Sequence, residues 1–196
     1  GTSGSVQWVW GDGTAATTVV SAVATSHTYA TAYTGPATLR YRRGVTITRF
    51  NGGASDPWTF NLDALPAGLQ NFIVTSAASS LKGDLSSTPS TLTTFRVNGT
   101  NTIKGDVRNT SRILTEFTVG GSNTISGTTA NLAPTITSLT LQGSNTLSGD
   151  VGSLPAGLIL ALIAGSNTTS GLVDAIPSTL TSLFLQGQNT TSGNIA

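Results

Sequence analysis

The chain of 196 residues has no cysteine, no methionine and a single histidine, His27. Without cysteine there are no disulfides and no thiolate metal sites, and thiols say nothing of the redox compartment. A lone histidine with no cysteine beside it leaves neither a zinc site nor a hydrolytic triad. Without methionine the sequence reads as a processed product, a domain, or the ordered part of a longer chain. Charge is also scarce, at 9 % of residues against about 25 % in ordinary domains. A net charge of +1 excludes the clustered basic footprint of a nucleic-acid binder. The longest apolar run, 158–164, falls far short of the roughly 20 residues of a membrane-spanning helix.

Threonine, serine, glycine and asparagine take the polar positions instead, a composition suited to an extracellular β-rich protein. They recur with a fixed period. Gly83, Gly105, Gly127, Gly149, Gly171 and Gly193 stand 22 residues apart, and Asn101, Asn123, Asn145, Asn167 and Asn189 keep the same step. Ser79 takes the asparagine's place in the first unit, which carries one extra residue between Val74 and Ser79. Six units follow from Leu65 to Ala196, and a period of this length is the mark of a stacked solenoid.

Within a unit a short strand alternates, with Phe95 and Val97 facing in and Arg96 out, then Leu139 and Leu141 in and Thr140 out. Parallel stacking at about 4.8 Å makes six units roughly 29 Å long. The asparagine amide can satisfy backbone groups of its own and the adjacent coil, which no apolar side chain does. The glycine suits a positive φ or a close approach of the next coil. Pro66, Pro89, Pro155 and Pro177 discourage helix on the return side, so extended or 3₁₀ segments are expected there.

The pattern L-P-x-x-L-x-x-L-x-L-x-G-x-N-x-x-S-G, over residues 65–196, resembles the leucine-rich repeat family. The N-terminal part differs. Residues 5–10 and 37–41 read as strands, with Gly11-Asp12-Gly13 a turn. WVWGDG from Trp8, SHTYAT from Ser26 and ATLRY from Ala37 are similar to the PKD domain, an immunoglobulin-like sandwich. Only part of that domain is present, so a small antiparallel β-cap over residues 1–57 is expected, followed by a leucine-rich-repeat solenoid over 58–196. The expected fold class is mostly β, with short parallel strands and little α-helix. Bacterial surface proteins of the Bacteroidetes lineage and phage surface proteins resemble this pairing, which implies an extracellular, cell-surface or virion location.

Other features have bland readings. Arg40, Arg42 and Arg43 suit a solvated edge strand. Asp84, Asp106 and Asp150 follow the repeat glycine; stacked carboxylates can bind Ca²⁺, but Lys82 and Lys104 point to solvated, neutralised turns. Asn98, Asn109, Asn167 and Asn189 fit N-x-S/T, and the last two, inside the asparagine ladder, are expected to be buried.

One departure bears on function. The outward strand positions are polar at Asn71, Thr94, Arg96, Glu116, Thr118, Ser138 and Thr140, then become Leu160, Leu162 and Phe184. Exposed apolar patches mark contacts with a partner. The last unit stops near Ile195 without a polar cap, and an unclosed coil invites a second molecule. The expectation is a non-enzymatic structural subunit of an extracellular filament or phage fibre, self-associating without cofactor or metal through Leu160, Leu162, Phe184 and Ile195. The alternative is an adhesin or receptor-binding module that recognises a surface glycan or protein on the open sheet face. Neither nucleic acid nor membrane insertion is expected.

Overall fold

The computed structural model describes residues 6–19, 27, 28, 30, 37–41, 45–53 and 57–193. The chain divides into two compact units, Gly1–Thr46 and Ile47–Ala196. The division falls between Thr46 and Ile47.

Among the described residues, the first unit is a three-stranded antiparallel sheet in which β1 (Val6–Val9) lies between β2 (Thr17–Val19) and β3 (Thr38–Tyr41). The turn between β1 and β2 uses Gly11 and Gly13, both at positive φ. Asp12 Oδ1 accepts from the Thr14 amide and hydroxyl at 3.1 and 2.6 Å, fixing the loop. Its other oxygen meets His27 Nε2 at 2.8 Å, and the His27 ring stacks on Trp10 at 4.7 Å. The hydroxyl of Thr14, and then His27, hold the Asp12 carboxyl down to about 2. Thus the GDG turn and the lone histidine form one structural latch. Arg40 is exposed on the edge strand β3; Arg42, Arg43, Ser26, Tyr29 and Thr31 lie outside the described residues.

The second unit is a parallel solenoid of the leucine-rich-repeat type, with two strand ladders. Its strands run β4 (Arg49–Gly52), β5 (Thr59–Asn61), β6 (Asn71–Val74), β7 (Ser80–Asp84), β8 (Thr94–Val97) and β9 (Thr102–Asp106). The long β10 (Glu116–Thr128), β11 (Ser138–Asp150) and β12 (Leu160–Leu172) follow, then β13 (Ser182–Gly187) and β14 (Thr190–Ser192). The first ladder runs β4, β6, β8, β10, β11, β12, β13. That makes seven rungs, one more than the six units counted from the consensus. The added rung is N-terminal: Phe50 stands in register with Phe72, as Phe72 does with Phe95 and Phe95 with Phe117.

Those four rings stack 5.6–5.9 Å apart from rung to rung and give way to Leu139, Ala161 and Leu183 in the same column. Behind them Leu69, Leu92, Leu114, Ile136 and Leu158 are at most 2 % exposed, each such side chain contributing about 1.5–3 kcal/mol by leaving water. The return segments are 3₁₀, as proline implied: Leu62–Ala64, Leu85–Ser87, Val107–Asn109, Thr129–Asn131, Val151–Ser153 and Val173–Ala175. No α-helix occurs among the described residues.

The second ladder does not advance in step with the first. There Thr124 pairs with Lys104, Ser126 with Thr146 and Ser148 with Thr168, whereas Phe117 pairs with its equivalent Leu139 on the first. Equivalent residues of adjacent coils are thus about 6.6 Å out of step along the second ladder. The offset runs along the strands, and neighbouring strands pair in parallel in both ladders.

Candidate interaction surface

The coil interior sets the surface. Asn101, Asn123, Asn145 and Asn167 are fully buried, and each amide spans three coils. Asn123 Oδ1 accepts from Ile103 N at 2.9 Å, while Nδ2 donates to Gly120 O at 2.9 Å and Gln142 O at 3.1 Å. Asn145 and Asn167 repeat the backward bond, to Ile125 N and Leu147 N, and the forward one, to Ala164 O and Gln186 O. Half-buried Asn189 keeps the backward bond to Thr169 N and has no forward one among the described residues. Ser79 substitutes by accepting from Trp58 N at 3.0 Å.

The repeat glycines Gly83, Gly105, Gly127, Gly149, Gly171 and Gly193 all have positive φ, between 104° and 128°. A Cβ at Gly127 would lie 2.7 Å from Asp106 Oδ1, so the missing side chain is the space the preceding coil's Asp occupies. That Asp is a helix cap. Asp84, Asp106 and Asp150 accept from the amide two residues on, at 2.9, 2.8 and 2.7 Å, and start the 3₁₀ turns. The Ser86 amide and hydroxyl, with Lys104 a lesser cause, hold the Asp84 carboxyl below its usual range. Arg108 pairs with Asp106 at 2.8 Å. Among the described residues no three His, Asp or Glu side chains group as a metal site.

A second glycine row, at Gly99, Gly121, Gly143, Gly165 and Gly187, is present in the repeat consensus but received no role there. A Cβ at Gly121 would stand 2.4 Å from Asn101 N, so coil backbones touch at this column.

The open face of the first ladder presents Arg49, Asn51, Asn71, Ile73, Thr94, Arg96, Glu116, Thr118, Ser138, Thr140, Leu160, Leu162, Ser182 and Phe184. Half-buried Ile73 is an apolar member of the face in an early unit, so the early positions are not all polar as expected. Arg96 Nε donates to Glu116 Oε1 at the centre of the face, so the two charges cancel locally. Leu160 and Phe184 are 36 % and 55 % exposed, and Leu162 is half-buried. Register places Leu162 beside Phe184 and Leu160 beside Ser182. Ile159, 49 % exposed, adjoins Leu160 and replaces the threonine whose hydroxyl elsewhere binds the preceding coil, as Thr137 binds Thr115 O at 3.2 Å. Ile195 lies outside the described residues. Of the four sequons, Asn98 and Asn109 are exposed, Asn167 is buried and Asn189 is half-buried.

Among the described residues, no helix is long and apolar enough to cross a membrane. No family model matches the sequence, and no curated protein matches it. Among solved structures, a plant peptide hormone receptor, RGFR1 in complex with RGF2, is similar at 18 % identity and a TM-score of 0.47. The likeness covers 71 % of this chain and 24 % of the receptor chain. This chain therefore spans about a quarter of that receptor's length, and a likeness of this degree transfers no function.

Proposed function

We propose that this chain is a non-enzymatic structural subunit that self-associates in an extracellular filament or a phage-type fibre. The observation that carries the reading is the change along one sheet face, from a stretch that is polar except for Ile73 to Leu160, Leu162 and Phe184. Burying three such side chains contributes at most about 5–9 kcal/mol, which is comparable to the cost of association. The cluster therefore sets orientation, and a stable polymer also needs backbone pairing. His27, held by Asp12 and Trp10, supports a structural and not a chemical use of the one imidazole. The similarity of WVWGDG, SHTYAT and ATLRY to the PKD domain accords with this reading, as does the surface location that the Bacteroidetes and phage resemblance implies.

The test is sedimentation across a concentration series for the wild type and the double variant Leu160→Ser, Phe184→Ser. Concentration-dependent oligomers that vanish in the variant, with unchanged circular dichroism, are expected. A wild type that stays monomeric at the highest concentration refutes the proposal.

The second reading is an adhesin. It is favoured by the hydroxyls of Thr94, Thr118, Ser138 and Thr140 on the same face as an exposed aromatic ring, Phe184. Retention on a glycan array, lost on Phe184→Ala while the subunit stays monomeric, separates it from the first.

A further inference from the structure

We infer that Asn98 is a site of spontaneous backbone rearrangement, at which the folded protein converts asparagine to aspartate and isoaspartate. The chemistry needs an accessible carboxamide and a following amide nitrogen free to attack it. Asn98 is exposed and followed by Gly99, a residue with no side chain to obstruct ring closure. Neither the Asn98 carboxamide nor the Gly99 N–H makes a hydrogen bond with any described residue.

The other described asparagines lack one or more of these conditions. Asn101, Asn123, Asn145 and Asn167 are buried among coil backbones, and the half-buried Asn189 carboxamide accepts from Thr169 N at 3.0 Å. Asn109 and Asn131 are followed by Thr110 and Leu132, whose amides donate to Val107 O and Thr129 O at 3.1 and 3.3 Å. Asn51 also precedes a glycine, but Gly52 is buried in register with Val74, with Trp58 filling the space beside its Cα.

In the reaction the deprotonated Gly99 nitrogen attacks Cγ of Asn98 and a C–N bond forms. The Cγ–Nδ2 bond breaks, ammonia leaves, and a five-membered imide results. Water then opens either carbonyl of the imide. Opening at one side gives aspartate; at the other it gives isoaspartate, which adds a methylene to the main chain. That methylene falls between two bonds that join coils, Asn98 N to Val74 O and Thr100 N to Ser79 O, both 2.8 Å. A Cβ at Gly99 would stand 2.2 Å from Ser79 O, so the contact has no slack to absorb the insertion.

The experiment ages the whole chain at mildly alkaline pH, folded and in urea, and follows each asparagine by peptide mapping that resolves isoaspartate. In the folded chain Asn98 is expected to convert about tenfold faster than Asn51, the factor for one hydrogen bond that need not be broken first. In urea the two rates should converge. Asn98→Gln, whose imide closes far more slowly, should remove the new acidic species from ion-exchange profiles. A folded chain in which Asn98 converts no faster than Asn51 overturns the inference.

Discussion

Replacing Asn123 by alanine removes one amide from the middle of the ladder, and its cost follows from the bonds lost. The Ile103 N–H and the Gln142 carbonyl lose a partner, whereas Gly120 O keeps Asn101 Nδ2 at 2.8 Å. Each buried group left unpaired costs about 1–3 kcal/mol. With some lost packing, Asn123→Ala should destabilise by about 3–5 kcal/mol. Asn189→Ala removes the same residue type from a half-buried rung, where water replaces the bonds, and should cost about 1 kcal/mol. Asn123→Asp keeps the acceptor for Ile103 but sets a carboxylate against two carbonyl oxygens. It should be as harmful as alanine at neutral pH and partly relieved when acid restores a donor. Urea unfolding followed by circular dichroism gives the global difference. Hydrogen exchange over residues 101–106 gives the local one, needed because repeat arrays can open rung by rung. If Asn123→Ala and Asn189→Ala agree to within ~1 kcal/mol, burial of the amide is not what secures the coils.

Two further outcomes are expected. Gly127→Ala puts a side chain at φ +126°, against Asp106 Oδ1, and should cost at least about 2 kcal/mol. Gly157→Ala, where a Cβ meets nothing within 4 Å, should be neutral or mildly stabilising; equal urea midpoints for the two would refute the cap-space argument. Asp84 has a folded pKa below its unfolded value of 3.8, so its contribution is fully present above that value. It is lost as pH falls through the folded pKa. Thermal midpoints should therefore drop below about pH 4 in the wild type and drop less in Asp84→Asn, which retains a capping acceptor; parallel curves would count against it.

Much of the fold was legible because the repeat writes the same environment many times. Apolar columns such as Phe95, Phe117 and Leu139, the buried asparagines and the glycines with positive φ all fell where their period put them. Prolines read correctly as forbidding helix, since Pro66, Pro89, Pro155 and Pro177 each open an i to i+3 turn. The first rung escaped notice because it breaks the consensus. Phe60 stands where other coils have glycine, yet Phe50 still joins the ring stack. Of the candidate surface, alternation found Leu160, Leu162 and Phe184 facing outward, while the pairing of Arg96 with Glu116 across rungs had no local signal.

Sequence by itself determined which side chains leave water, because hydrophobicity and a 22-residue period are properties of the chain read in one dimension. Tertiary structure alone decided the stagger of the second ladder, the backbone partners of each asparagine, and the carboxylates that cap turns beneath the next coil's glycine. These depend on contacts between residues some twenty positions apart, where a shift of two residues changes every partner while leaving the inward and outward alternation intact.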